Sequence, residues 1–208
     1  ISMAVAMGVA FTLTWLFGTN NEQIKNENKP SENKTEKTEQ PAQAMETKAE
    51  NADVTDDGII TAPLSGKAVK LENVPDQTFA QGILGLGTAI EPTEGKVVAP
   101  GDGKVETLFD TFHAVGLTLD NGKELLIHVG INTVELKGEG FKAYVSEGDR
   151  VTKGQTLITF DMDFIKSKGY QTITPVLVGN SDEFASVEEL AEEGTEVTIG
   201  DKLIKVNA

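Results

Sequence analysis

The sequence has no cysteine and only two histidines, His113 and His128, among its 208 residues. Without cysteine there is no disulfide framework, no thiolate metal site and no cysteine nucleophile. Two histidines are also too few for a metal site with three histidine ligands. Covalent chemistry in this chain therefore needs another nucleophile, and each histidine is a candidate for that role.

Positive charge is scarce as well. The chain carries 18 Lys and Arg residues against 33 Asp and Glu residues, which gives a formal net charge of −15 and a sequence pI near 4.5. A nucleic-acid backbone or an anionic membrane surface repels a protein of this charge. We therefore expect no nucleic-acid partner.

Composition divides the chain into three segments, of which the first two are not globular. Residues 1–18 form an uncharged apolar run, which we interpret as the end of a transmembrane helix because a complete crossing takes about 20 residues. A helix in the core of a soluble domain is the alternative. Residues 19–57 have almost no large apolar side chains and are predicted to form a disordered linker. Lysines behind the apolar run favour a cytoplasmic location for the rest of the chain, attached to the cell membrane by the N-terminal helix.

The third segment, residues 58–208, contains 19 of the 21 glycines and is predicted to be the folded domain. Short apolar or alternating runs that end at Gly, Asp, Asn or Pro are typical of short strands joined by tight turns. We therefore predict an all-β fold, an antiparallel sandwich or barrel-like domain with minor short helices. The predicted helical turns are Asp163 to Ser167 and Ser186 to Ala191. The predicted strands are Gly66 to Leu71, Lys96 to Ala99, Gly103 to Phe109, Ala114 to Leu119, Glu124 to Val129, Phe141 to Val145, Thr156 to Phe160, Ile173 to Val178 and Thr195 to Val197.

The two histidines flank a predicted β-hairpin, since Asn-Gly between two apolar runs is a strong hairpin signal. If Asn121 and Gly122 form a two-residue turn, His128 pairs with Val115, which shares a face with His113. The two imidazoles then lie on one face as diagonal neighbours, with backbones about 7 to 8 Å apart. A three-residue loop would place them on opposite faces instead.

Two imidazoles on one face could serve group transfer or metal binding. Neither histidine has a carboxylate beside it in sequence, so both rings are expected to be neutral near neutral pH, and a neutral imidazole nitrogen is a nucleophile. The phosphate-binding loop of nucleotide enzymes, the serine elbow of hydrolases and the paired-histidine motif of metalloproteases are all missing. Phosphoryl relay and a metal site remain as alternatives.

Four long motifs in the folded domain resemble the glucose-type IIA domain of the bacterial sugar phosphotransferase system. They are TAPLSGKAVKLENVPDQTFAQGILGLGTAIEP, EGKVVAPGDGKVETLFDTFHAVGL, ELLIHVGINTVELKGEGF and ITPVLVGNSDEF. The resemblance extends from Ile60 to about Lys205 and implies a β-sandwich of the duplicated hybrid motif type. The upstream apolar run with its charged linker is similar to the end of the IIC membrane domain of a fused permease, which makes that domain an expected partner.

The resemblance also implies roles for individual residues. His128 in LLIHVGI would accept a phosphoryl group from the histidine-containing phosphocarrier protein and pass it to a cysteine of a IIB domain. His113 would orient and stabilise the phosphorylated ring, and Thr111 would hydrogen-bond to His113. No metal and no cofactor would be required. A rim for partner docking would be formed by Phe109, Val98, Leu126, Asn132, Val134 and Asp182.

Two other functions compete with the relay. The same type of domain occurs fused to sugar symporters, where its phosphorylation regulates transport. A zinc hydrolase on a small β-barrel is less favoured, because such a site needs a further histidine and a nearby acid, and four residues past His113 stands Leu117.

The acidity of the chain predicts a partner with a basic docking surface. Raising the ionic strength from about 0.01 M to about 1 M shortens the Debye length from roughly 30 Å to 3 Å. The initial rate of phosphoryl transfer from the partner to this chain should therefore fall as NaCl is added, with a sucrose series of matched viscosity as the control. A rate that does not depend on salt would contradict electrostatic docking.

Overall fold

The structure, a computed structural model, describes residues 57–208. The predicted transmembrane segment, residues 1–18, and the linker up to residue 56 lie outside the described residues. In the part of the chain that is described, no helix is both long and apolar enough to cross a membrane.

Short strands dominate the described residues, and helices are few and brief. The helices are α1 (Gln77–Ala80), α2 (Met162–Ser167) and the 3-10 helices Leu71–Asn73, Thr133–Leu136 and Ser181–Glu183. The strands are β1 (Ile59–Thr61), β2 (Gly66–Lys70), β3 (Leu86–Pro92), β4 (Lys96–Val98), β5 (Gly103–Leu108), β6 (Ala114–Leu119), β7 (Glu124–His128), β8 (Phe141–Ala143), β9 (Arg150–Val151), β10 (Thr156–Phe160), β11 (Thr174–Val178), β12 (Ser186–Glu189), β13 (Glu196–Val197) and β14 (Lys202–Asn207).

These strands form three antiparallel sheets around one main core. The large sheet has the order β13-β2-β3-β11-β7-β6-β5-β9, and the small sheets have the orders β1-β14-β12 and β4-β10-β8. Fully buried side chains of all three sheets meet in one cluster, for example Ile127 of the large sheet, Ile204 of β14 and Ile158 of β10. The fold is therefore the predicted antiparallel β-sandwich with minor helices.

A second, smaller cluster lies on the other face of the large sheet. Leu177 of β11 and Ala89 of β3 point away from the main core and pack with Leu71 and Phe79 from the segment that connects β2 and β3. This segment contains α1. Both faces of the large sheet are thus covered near its centre, and α1 lies on the outer face.

The predicted helix at Ser186 to Ala191 is wrong, because Ser186–Glu189 is strand β12. Val187 lies opposite Val206 of β14, and the backbone hydrogen bonds of this short segment run to that strand. A sequence as short as Ser-Val-Glu-Glu has little helix preference of its own, so pairing with β14 decides its conformation. The other predicted helix is confirmed as α2, whose first turn is capped by the Asp161 carboxylate.

The hairpin between β6 and β7 has a three-residue loop rather than a two-residue turn. Leu119 and Lys123 close the loop through a backbone hydrogen bond of 2.9 Å, and Ala114 pairs with His128. The predicted pairing of Val115 with His128 is therefore wrong by one residue. The two-residue turn favoured by Asn-Gly needs a positive φ at both residues, whereas here Gly122 has φ +81° and Asn121 does not have a positive φ.

Substitution of Gly122 tests how strongly this loop depends on a residue with a left-handed backbone conformation. Gly122→Ala should lower the free energy of unfolding by about 1 to 2 kcal/mol, because a side chain in this conformation is strained even though nothing lies within 4 Å of an added Cβ. Gly116→Ala in β6 is the matched control, since its added Cβ makes only ordinary contacts and its φ is not positive. Urea unfolding of both variants measures the difference, and equal stabilities would contradict the prediction.

Candidate functional site

The strand alternation of β7 places His128 on the outer face of the large sheet. Leu125 and Ile127 point into the main core, whereas Leu126 and His128 point away from it, towards the second cluster. His128 is the last residue of β7 and is partly exposed. One strand thus contributes to the core with one face and presents an imidazole with the other.

His113 reaches the same place although the observed pairing would put it on the opposite face. It precedes Ala114, the first residue of β6, so the alternation of the strand does not extend to it. Phe112, immediately before it, has a left-handed backbone with φ +54°. The backbone N–H of Val129 donates to the His113 carbonyl at 2.7 Å, and the rings of His113 and His128 lie 4.8 Å apart, edge to face.

A backbone carbonyl determines the tautomer of His128. Its Nδ1 lies 2.8 Å from the carbonyl oxygen of Gly130, and because a carbonyl only accepts hydrogen bonds, Nδ1 carries the proton. The lone pair of the neutral ring is then on Nε2. Gly130 has φ +75°, and an added Cβ would lie 2.5 Å from Thr133 Cγ2 and 2.6 Å from the Gln171 carbonyl oxygen. Only glycine fits this turn.

His113 is held from two directions. The Thr111 hydroxyl oxygen lies 2.5 Å from His113 Nδ1, and the Phe109 ring packs edge-on against the imidazole with centroids 5.4 Å apart. When Thr111 donates to Nδ1, the proton of the neutral His113 ring is on Nε2. His113 is 4% exposed, so this arrangement is largely shielded from water. The predicted contact between Thr111 and His113 is present.

Both imidazoles are biased towards the neutral form. Burial, and to a smaller extent the neighbouring His128, lower the pKa of His113 to about 4. Burial also lowers the pKa of His128, while the Gly130 carbonyl and the Asp76 carboxylate oppose that effect. At neutral pH the site therefore presents two uncharged rings, one of them with a free Nε2 lone pair.

Several predicted rim residues lie close to the histidines in the chain and are exposed. Phe109 is 37% and Val134 39% exposed, and Asn132 is also exposed. Asn132 has φ +58°, a left-handed conformation that asparagine tolerates better than most residues. Leu126 shares a face with His128 but is partly buried against the second cluster.

Two predicted rim residues are not at the site. Val98 belongs to the small sheet of β4, β10 and β8 and is only 2% exposed, so it forms no part of an exposed apolar rim. Asp182 follows β11 at the hairpin end of β7, where the neighbouring Asn180 accepts a hydrogen bond from the Glu124 N–H. His128 lies at the opposite end of β7, roughly 13 Å further along the strand.

Sequence reasoning missed Asp76 and Phe79, which belong to the surroundings of His128. The Phe79 ring lies 5.0 Å from the imidazole of His128, and the Asp76 carboxylate acts on the same ring through its charge. An Asp directly before a helical turn is a recognisable N-cap signal. With only four residues, however, α1 shows no helical periodicity in the sequence.

The described residues, 57 to 208, include no group of three or more His, Cys, Asp or Glu side chains arranged to hold a metal ion. What they do offer is a neutral imidazole nucleophile on a sheet surface, with a second imidazole beside it. Together with the antiparallel sandwich, this pair defines the class of protein as a β-sandwich domain with a paired-histidine site.

The comparisons with known proteins identify the family. Residues 58–184 match the family described as phosphoenolpyruvate-dependent sugar phosphotransferase system, EIIA 1, and this chain belongs to that family. The resemblance seen in the four sequence motifs is thus confirmed.

Individual relatives agree with this assignment. The chain is 47% identical over 152 residues to a glucose-specific EIIA component of the phosphotransferase system from Halalkalibacterium halodurans, covering 73% of this chain and 88% of the relative. It is 48% identical over 134 residues to a protein of the same name from Bacillus cereus, covering 64% and 81%. Glucose permease IIA from Mycoplasma capricolum has a similar structure, with a TM-score of 0.63 and 32% identity over 70% of this chain and 93% of that one.

The low pKa of His113 predicts a pH dependence of stability. The folded state resists protonation of His113 down to about pH 4, whereas the unfolded chain binds this proton near pH 6.5. The stability contributed by the neutral ring is thus complete above pH 6.5 and is lost as the pH falls towards 4. Between pH 7.5 and pH 4.5 the free energy of unfolding should fall by roughly 2 to 3 kcal/mol on account of His113.

Urea unfolding at the two pH values measures this loss, and His113→Gln is the control. The variant keeps every other titrating group, so the difference between its pH dependence and that of the wild type isolates His113. Equal pH dependences would contradict a depressed pKa. Proton NMR of the ring provides an independent check, with a midpoint expected near 4.

Proposed function

We propose that His128 carries the phosphoryl group on its Nε2 atom. The observation that supports this most strongly is the hydrogen bond from Nδ1 to the Gly130 carbonyl, which leaves the lone pair on Nε2. His113 is also neutral, but its Nδ1 is occupied by Thr111 and the residue is almost fully buried. His128 is the more accessible of the two nucleophiles.

The transfer requires only two imidazoles, that of the donor and that of His128. The Nε2 lone pair of His128 forms a new bond to phosphorus while the bond from phosphorus to the donor's ring nitrogen breaks, and that electron pair returns to the donor ring. The phosphorylated His128 ring keeps its Nδ1 proton and gains positive character. The Gly130 carbonyl then accepts a stronger hydrogen bond, which stabilises the phosphorylated ring.

His113 is proposed to stabilise the phosphoryl group. Its ring lies 4.8 Å from that of His128, and with Thr111 donating to Nδ1 its Nε2 proton can be donated to a phosphoryl oxygen. The low pKa of His113 keeps the ring neutral, so this hydrogen bond places no permanent positive charge beside the leaving group. Easy onward transfer requires such moderate stabilisation.

The partners are proposed from the family. The donor is a histidine-containing phosphocarrier protein and the acceptor is a cysteine of a IIB domain, with sugar uptake and phosphorylation as the outcome. The exposed Phe109 and Val134 next to the histidines suit transient docking of both proteins. The apolar residues 1–18 support attachment to a IIC membrane domain, which would hold this domain at the cytoplasmic side of the cell membrane.

Phosphoryl labelling tests the proposal directly. The 208-residue chain is incubated with phosphorylated phosphocarrier protein, and the added phosphoryl mass is followed by intact mass spectrometry. Wild type should be labelled and His128→Ala should not, because the nucleophile is gone. His113→Ala should still be labelled but should transfer to a IIB cysteine more slowly, by about tenfold to a hundredfold, since it loses a transition-state hydrogen bond.

Far-UV circular dichroism spectra of the three proteins, which should be the same, control for folding. Label that persists in His128→Ala would show that another residue is the acceptor. If wild type is labelled but no IIB cysteine receives the group, the relay is wrong and the regulatory alternative is favoured.

A further inference from the structure

The imidazole of His128 is enclosed by contacts from three different parts of the chain. Gly130 binds Nδ1, the His113 ring lies against one side, and the Phe79 ring lies 5.0 Å away at an angle of 58°. The first two contacts come from the hairpin of β6 and β7 and its flanks. The third comes from α1, which is distant in sequence and belongs to the connection between β2 and β3.

Phe79 is anchored from behind. Its side chain is 6% exposed and packs in the second cluster with Leu71, Ile173 and Leu177. The ring therefore has a fixed side that faces the sheet and another that meets His128. A contact built in this way restricts the imidazole without adding a polar group to the site.

Asp76 caps the N-terminus of α1. The carboxylate oxygen Oδ1 accepts hydrogen bonds from the backbone N–H groups of Thr78 at 2.8 Å and Phe79 at 3.4 Å. A helix of four residues has almost no stability of its own. The cap therefore holds the backbone of Phe79 directly, and the position of the Phe79 ring depends on it.

We propose that Asp76 and Phe79 are positioning residues for His128: the Asp76 cap fixes α1, and α1 holds the Phe79 ring against the imidazole so that Nε2 keeps its direction. This inference rests on the proposed function of His128. Neither residue touches the phosphoryl group in this scheme. Both act through the ring of His128.

The Asp76 carboxylate has two separable effects on His128. As a cap, it keeps Phe79 in place and so keeps water away from the imidazole, which lowers the pKa of His128. As a negative charge, it raises that pKa. Asparagine accepts the same two backbone hydrogen bonds but has no charge, whereas alanine provides neither.

The experiment compares four variants of the 208-residue chain: Asp76→Asn, Asp76→Ala, Phe79→Ala and Val206→Ala. Val206 of β14 is the control for loss of a buried apolar side chain, because it is 4% exposed and packs in the main core rather than in the second cluster that contains Phe79. For each variant, NMR titration gives the pKa of His128, and labelling by phosphorylated phosphocarrier protein gives the rate of transfer. Thermal unfolding confirms that each variant is folded.

Loss of the Phe79 contact should raise the pKa of His128 and slow transfer by about tenfold or more, since small misplacements of a nucleophile are costly. Asp76→Ala should show the same slowing, and its His128 pKa should lie above that of Asp76→Asn. Asp76→Asn should lower the pKa while retaining most of the transfer rate. Val206→Ala should leave both quantities unchanged.

The inference is overturned if Asp76→Ala and Asp76→Asn give the same pKa and the same rate, or if Phe79→Ala behaves like Val206→Ala. Should Phe79→Ala fail to fold, the pair of Asp76 variants decides the question alone. Absence of label in the wild-type chain would overturn the proposed function instead. In that case the titrations still show whether α1 holds the His128 ring.

Discussion

The hydrogen bond between His128 Nδ1 and the Gly130 carbonyl decides which nitrogen of this site is available for chemistry. The bond exists because the chain turns sharply after β7, and Gly130 permits that turn since no Cβ fits between Thr133 and the Gln171 carbonyl. The Thr133 hydroxyl in turn donates to the Val129 carbonyl at 2.5 Å, which ties the loop back to the strand. The tautomer of His128, and with it the proposed reaction at Nε2, thus depends on backbone geometry.

The two faces of the large sheet differ in what they carry: the inner face packs in the main core, and the outer face carries the two histidines. Ile127 is fully buried in the main core, and its neighbour His128 lies on the outer face beside His113. Burial and the neighbouring His128 lower the pKa of His113 to about 4, so the folded protein holds this ring in its neutral form at neutral pH. β7 is paired on both sides and lies between two packed layers, which keeps His128 in place, while the partly exposed imidazole at the end of the strand remains accessible.

Alternating apolar residues predicted most strands, because burial on one face leaves a period of two in the sequence. β6 and β10 have the predicted bounds, and several others differ by one or two residues at an end. β12 was mistaken for a helix, since its conformation comes from pairing with β14. α1 was overlooked because a helix of one turn leaves no periodic signal. The register of the hairpin was predicted one residue off, since the conformation of Asn121 decides between two loop lengths.

The sequence by itself determined the class of fold, the family and the two histidines on which the proposed chemistry depends, because these follow from residue types and their local order. Only the tertiary structure decided how the histidines meet. The predicted pairing was wrong, and the rings still lie 4.8 Å apart because His113 stands outside the strand, after the left-handed Phe112. The contact of Phe79 with His128 is likewise a product of folding, since it joins segments far apart in the chain. Such contacts depend on packing between distant segments, and this packing produces no local pattern in the sequence.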